Sequence, residues 1–378
     1  MKLSTAGESH GKALVAIIEG LPAHLSVDKD KINQELALRQ SGYGRGARQK
    51  IEKDEVEILT GVRNGETLGS PVTLCIFNKD FANWETAMSD GVCDASVMDQ
   101  KKLTKVRPGH ADLTGVIKYA QSDARNILER ASARETAIRV SAGAVFKQYL
   151  SDLGVEIAGC VREVCSIKDE NKYTFDELKA SKTTALGMID KKAEERAVEK
   201  IKSLKADGDT AGGVVEIRVK GLKSGFGSVM TYDEKLDGML AQGLMSIQAV
   251  KGVEIGEGFA MANKSGKYVH DEIYKTENGY TRKTNRAGGI EGGMSNGEEI
   301  IVKVAMKPIP TLMKGLQTVD FATGESAIAS SERSDVCAIF ALQIIAESVV
   351  AKVIADAVSK RLGGDTMQEV QERYNRLP

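Results

Sequence analysis

The sequence predicts a mixed α/β fold, on two observations. Strand-like and helix-like segments alternate along the 378 residues, and no GxGxxG string follows a strand. Alternation alone points to a doubly wound parallel sheet; the missing dinucleotide fingerprint argues against one. With 42% hydrophobic and 28% charged residues, the chain can bury a large core and is neither disordered nor fibrous.

The elements follow in order. Residues 13–19, 56–62 and 70–77 are β-like. Asp28 to Arg39 reads as a helix capped by Asp28, with Ile32 and Leu36 as its stripe. Leu113 to Glu129 is helix-like. Ser132 opens a further helix, and Glu135, three residues on, completes a capping box. Its apolar face runs through Ile138, Ala142, Val145 and Tyr149 until Gly154 stops it. Residues 213–220 alternate, with Val215, Ile217 and Val219 on one face. Asp233 to Ile247 is a helix striped by Leu236, Leu240 and Leu244, and 300–306 is a strand. Val336 to Leu362 is a long apolar helix closed by Gly363 and Gly364. The polar stretch 166–209 reads as a variable excursion on one domain spanning 1–378. Within it, Lys191 to Leu204 is a charged helix with Ala193, Ala197, Ile201 and Leu204 as a thin stripe. The string Gly-Val-Glu-Ile follows a helix twice, at 154–157 and 252–255, a hint of internal duplication.

Composition excludes several classes. Lys and Arg total 52 against 53 acidic residues, a net charge of −1. Chain-wide attraction to nucleic acid or to an anionic membrane is therefore not expected, and any anion site must be local. No apolar run reaches the roughly 18 residues of a membrane span, and the first residues show no signal-peptide pattern. The five Cys are odd in number and never spaced CxxC, which points to a reducing, cytoplasmic setting without a disulfide frame. P-loop, HxxxH and GxSxG patterns are missing, and no metal site is expected. The 38 glycines against 5% aromatics suit either backbone laid close to a ligand or many tight turns.

Four constellations carry candidate chemistry. Gly7-Glu8-Ser9-His10-Gly11 puts a histidine on a turn before a strand, as a general acid or as a locally bonded turn residue. Arg39, Arg45 and Arg48 surround Gly42-Tyr43-Gly44, offering forked donors to a phosphate or carboxylate. Arg107-Pro108-Gly109-His110-Ala111-Asp112 freezes a turn in which Asp112 either orients His110 or caps the next helix. Arg130-Ala131-Ser132-Ala133-Arg134 puts two cations at a predicted helix N-terminus, which suits an anion. A glycine-rich string from Gly288 to Gly297 leads through a strand to Lys307-Pro308-Ile309-Pro310-Thr311. Arg333-Ser334-Asp335 precedes the last long helix, where Asp335 is either an N-cap or a carboxylate presented to a site.

Together these motifs resemble the chorismate synthase family: GESHG, RQSGYGRGAR, GSPV, RPGHAD, RASARETA, VKGVEIG, GGIEGGMSNG, KPIPT and RSD stand in one order through nearly the whole chain. The resemblance implies a β-α-β sandwich, with a helical layer between two antiparallel sheets, assembled as a homotetramer. It implies a lyase that converts 5-enolpyruvylshikimate 3-phosphate to chorismate and phosphate by 1,4-anti elimination, using reduced FMN, at the last step of the shikimate pathway. It implies catalytic roles for His10, His110 and Asp335. Substrate contacts are implied at Ser9, Arg39, Arg45, Arg48, Arg107, Ser132 and Arg134. FMN contacts are implied at Arg130, Ala131, Ser132, Gln248, Ala249, Gly292, Lys307, Pro308, Ile309, Pro310, Thr311 and Arg333. NADPH is a candidate flavin reductant at Arg39 and Arg45. Gln248, where some members have Asn, and the run after Cys337 depart from the family pattern. The alternatives are an FMN/NADPH flavin reductase and a non-catalytic phosphometabolite- or RNA-binding protein. Net charge and scarce aromatics disfavour RNA.

Overall fold

In the computed structural model, two antiparallel sheets enclose a layer of helices. Residues 1–46, 53–277, 279–330 and 334–378 are described, so Arg48 and Arg333 lie outside the described residues. The first sheet holds β1 (Lys2–Gly7), β2 (Ala13–Glu19), β3 (Glu57–Thr60) and β4 (Val72–Phe77) in the order β1-β2-β4-β3. The β1–β2 hairpin runs in register from Lys2 opposite Glu19 to Gly7 opposite Leu14. The second sheet holds β5 (Glu156–Val164), β6 (Ile167–Lys168), β7 (Gly213–Lys220), β8 (Val250–Ile255) and β9 (Ile300–Met306) in the order β8-β9-β7-β5-β6.

Each sheet turns one face inward, as the two-residue period requires. Leu14, Ala16 and Ile18 of β2 and Val215, Ile217 and Val219 of β7 are buried, while Ile17 and Phe77 face out. Between the sheets lie α1 (Lys29–Gln40), α4 (Thr136–Ser151), α6 (Leu236–Met245) and α7 (Ile339–Leu362). The α4 helix packs on β2, β4 and α7, and α7 packs in turn on β5 and β7. A helix with sheet on one side and helix on the other is apolar nearly all round, which explains the α7 sequence. Gly143 allows the α4–α7 crossing: a Cβ there would stand 2.2 Å from Ser348 Cβ.

A charged cluster is buried in this layer. Lys147 of α4 lies 2.7 Å from both Glu35 of α1 and Glu347 of α7. Lys182 lies 3.2 Å from Glu35 and 2.7 Å from Glu347. Burial alone would raise the Glu35 pKa, but the two ammonium groups outweigh it and pull it down to about 2.

The parallel sheet suggested by alternation is replaced by two antiparallel ones, because β1–β2 is a hairpin and β5, β7 and β9 pair with alternating direction. The expected helix 113–129 is broken. It divides into α2 (Asp112–Tyr119) and α3 (Arg125–Ala131), parted at Ala120, whose φ is 49°. The strand expected over 56–62 stops at Thr60, before Gly61 with φ 83°. Ser132 caps a 3₁₀ turn, Ala133–Glu135, and Glu135 turns its carboxylate to Thr5 and Arg139 instead of closing a capping box. Within 166–209, α5 (Lys191–Ala206) buries Ala193, Ala197 and Ile201. The two Gly-Val-Glu-Ile strings enter β5 and β8, which flank the central β7–β9 pair and run in opposite directions. No helix among the described residues is long and apolar enough to cross a membrane.

Candidate active site

Three arginines from separate segments meet beside the helical layer. Arg39, in the last turn of α1, is buried; its Nε donates to Thr136 Oγ1 and its Nη2 to the Ala133 carbonyl, both at 3.0 Å. Arg134 donates Nη1 to Asp54 at 2.7 Å and Nε and Nη2 to Asn78 Oδ1 at 3.1 and 2.9 Å. Asp54 also stands 3.5 Å from Arg39. Arg45 faces Asp335 at 3.3 Å, while its buried Nε has no hydrogen-bond partner among the described residues. Desolvation, with the like charges of Arg134 and Arg45 opposing Asp54, presses the Arg39 pKa down to about 9, still protonated at neutral pH. Asp335 accepts the Gly46 N–H at 2.6 Å and does not cap α7, which begins at Ile339 without a side-chain cap.

His10 stands on the loop between β1 and β2. Its Nδ1 lies 2.9 and 3.0 Å from the two carboxylate oxygens of Glu129, and its ring stacks on Trp84 at 4.1 Å. Asn78 ties this loop to the arginine cluster. Its amide donates to the carbonyls of Glu8 and Gly11, while its oxygen receives Arg134. Ser9 is buried, and its N–H donates to the Glu129 carbonyl.

A second group forms around His110, whose Nδ1 is 2.6 Å from Asp112 Oδ1. Arg107 donates Nε and Nη2 to the same carboxylate at 2.8 and 3.0 Å and reaches Thr311 Oγ1 at 3.3 Å. Burial would raise the Asp112 pKa, but the hydrogen bonds and charges of His110 and Arg107 hold it far below the carboxylate range. Lys307 donates to the Gly109 carbonyl, and Thr210 donates to that of Ile309. Burial, then the like charge of Lys251, lowers the Lys307 pKa. Beside this group opens a cleft of about 310 Å³ lined by Pro108, Gly109, Pro308, Ile309, Pro310 and Leu312, among others.

Elsewhere, Gln248 donates to Glu135 at 3.4 Å and keeps a buried Oε1 with no partner among the described residues. Ala249 takes a φ of 67° and accepts the Lys307 N–H. A Cβ on Gly292 would meet nothing nearer than 3.8 Å. No cluster of His, Cys, Asp and Glu among the described residues could hold a metal ion.

Comparison with known proteins decides the family. Residues 1–359 match the chorismate synthase family. The chain is 51% identical over 385 residues to the chorismate synthase of Geobacter sulfurreducens, covering 99% of this chain and 97% of that one. It is 52% identical over 375 residues to that of Syntrophotalea carbinolica, covering 98% and 96%. A solved chorismate synthase structure superposes with a TM-score of 0.79 at 38% identity, over 99% of this chain and 96% of the other. The chain belongs to the chorismate synthase family.

Of the site residues expected from that family, Arg39, Arg45, Arg134 and Asp335 come together, and Ser9 and His10 join them through Asn78. His110, Arg107, Lys307 and Thr311 form the second group. Arg130 departs from the expected helix N-terminus: it lies in the last turn of α3, partly exposed, bonded to Thr5 and the Gly7 carbonyl. Ser132 Oγ accepts the Arg134 N–H at 3.2 Å. Asp54, Asn78, Trp84, Glu129 and Thr136 were missed. Each is a single polar or aromatic residue far in sequence from its partner, and only Thr136, inside the RASARETA string, and Glu129, beside it, stand near a motif.

Proposed function

We propose that this lyase of the chorismate synthase family removes phosphate from 5-enolpyruvylshikimate 3-phosphate by 1,4-anti elimination at the arginine cluster, with reduced FMN as cofactor. The observation that carries this reading is Arg45. A buried guanidinium nitrogen without a partner costs about 1–3 kcal/mol, and here it stands beside two further buried arginines. Such a group suits a ligand with a phosphate and two carboxylates. Arg39, Arg45 and Arg134, with Arg48 and Arg107, bind those anions, and Ser9 and Ser132 add hydrogen bonds. His10 gives a proton to the departing phosphate oxygen. Asp335 assists the transfer of the proton that leaves the substrate ring to the flavin.

The residues fit a flavin. The cleft beside His110 offers proline and leucine surface to a flat ring, Gly292 leaves its backbone open, and Gln248 has a buried oxygen with no partner among the described residues. Arg130, Ala131, Ser132, Ala249, Lys307 to Thr311 and Arg333 complete the proposed contacts. Reduced FMN held by these residues would supply transient electron density and a site for the ring proton, with Asp335 helping to move that proton. His110, oriented by Asp112, would stabilise the anionic reduced flavin. NADPH, met by Arg39 and Arg45, is the proposed source of reducing equivalents. We place the enzyme in the cytoplasm as a homotetramer. Five free cysteines and exposed apolar residues on the outer sheet face and the 228–280 segment, among them Ile17, Phe77, Met230 and Phe259, support this.

The test is anaerobic mixing of enzyme, substrate and chemically reduced FMN, following chorismate absorbance and phosphate release, with and without NADPH. Stoichiometric chorismate and phosphate are expected without NADPH. NADPH oxidation without phosphate release would instead make the chain a flavin reductase.

A further inference from the structure

His10 is held from two sides by residues outside the arginine cluster. Glu129 is 3% exposed. Besides meeting Nδ1 with both oxygens, it accepts the His10 backbone N–H at 2.8 Å. Arg125, one turn earlier on α3, lies 3.3 Å from Glu129 Oε1. Burial alone would raise the Glu129 pKa, but the hydrogen bonds and charge of His10 and the charge of Arg125 keep it below the usual range. An ionised carboxylate accepts and never donates, so the hydrogen between Glu129 and His10 belongs to Nδ1. On the other side Trp84 lies against the ring with 28° between the planes, and Lys101 and Arg125 approach the indole at 4.4 and 5.0 Å.

The partner of one imidazole nitrogen decides what the other can do. We propose that Glu129 is a positioning residue for the elimination: it holds the Nδ1 hydrogen of His10 and leaves Nε2 as the atom that gives up the proton, while Trp84 fixes the plane of the ring. This rests on the reading of His10 as the donor to the departing phosphate. In that step the Nε2–H bond breaks and an O–H bond forms on the phosphate oxygen that leaves with the C–O electron pair. The Nδ1–H stays on the ring, bonded to Glu129, and no further reactant is needed at this residue.

The test uses ¹⁵N-histidine-labelled full-length enzyme, with H10Q assigning the His10 signals among the four histidines, and turnover with pre-reduced flavin. In the wild type, neutral His10 should carry its hydrogen on Nδ1. In E129Q, whose amide can also donate, the tautomer should change, and kcat should fall about 10–100-fold, as when the partner that orients a histidine is lost. KM should stay within about twofold, since the interaction acts on the chemical step. E129D, which restores the carboxylate, should recover part of the rate. Hydrogen on Nε2 in the wild type overturns the proposal, as does an unchanged rate in E129Q. A rate loss in E129Q without a change of tautomer also overturns it, because Glu129 would then only support the loop. Wild-type turnover by H10Q would sink the reading of His10 as donor, separately from the tautomer result.

Discussion

Asp335 binds the Gly46 N–H at 2.6 Å and faces the Arg45 guanidinium at 3.3 Å, so one carboxylate clasps two segments 289 residues apart. Asn at this position keeps an acceptor for Gly46 and loses both the charge and the ability to take a proton. We expect Asp335→Asn to fold and to bind substrate, and single-turnover chorismate formation with pre-reduced flavin to slow by about 10²–10⁴. A melting curve run alongside checks the fold. A wild-type rate would leave Asp335 as a clasp alone.

Arg45→Ala removes the guanidinium whose Nε has no partner among the described residues. A hydrogen bond to a charged group contributes roughly 1.5–3 kcal/mol, so KM should rise about 10- to 100-fold. Far-UV circular dichroism should be unchanged. An unaltered KM would mean that the substrate does not reach this side chain.

His10 and His110 belong to different hydrogen-bonded groups, and their variants should differ in kind. A substrate analogue with a better leaving group should partly rescue His10→Ala, because the missing proton matters less. His110→Ala should gain no such benefit. Turnover of both variants on both substrates decides it, and equal responses would count against the assignments.

Much of the scaffold was legible before any coordinates. The bounds of β2, β7 and β9 match the strand-like segments 13–19, 213–220 and 300–306, while α4 and α7 lie within the helices read from their apolar residues and stops, and α1 runs one residue past the expected end at Arg39. The layering was not, because strand-helix alternation describes a parallel sheet as well as two antiparallel sheets around helices. The break at Ala120 was hidden because alanine is a strong helix former with no signature for a left-handed turn. The arginines declared themselves by clustering with glycine. Their partners did not: Asp54 and Asn78 act through contacts that only the fold creates.

Substrate and flavin should bind with coupling, since on the proposed reading the substrate lies over the flavin and traps it. We expect FMN to bind more tightly with substrate present, and substrate to gain by the same factor when FMN is bound. Fluorescence titration of FMN with and without substrate measures this. Equal affinities would separate the two sites.

Glu35, at about 2 in the folded chain against an ordinary 4.5, makes a testable contribution to pH stability. Its folded pKa is depressed, so the stabilisation is present above about 4.5 and is lost as pH falls towards 2. The melting-temperature gap between wild type and Glu35→Gln should be widest near neutral pH and shrink through that window. A gap independent of pH would show that Glu35 acts by shape and not by charge.

The four charges of the Glu35, Lys147, Lys182 and Glu347 network have a consequence for how the helices find their places. A slip of α7 by one turn along α4 is a displacement of 5.4 Å, and an apolar helix buried nearly all round offers little to resist it. Such a slip would carry Glu347 away from Lys147 and Lys182, which approach it at 2.7 Å. The carboxylate would be stranded in the core, at a penalty of several kcal/mol. The network therefore acts as a detent: greasy surfaces draw the helices together, and the ions decide where they stop.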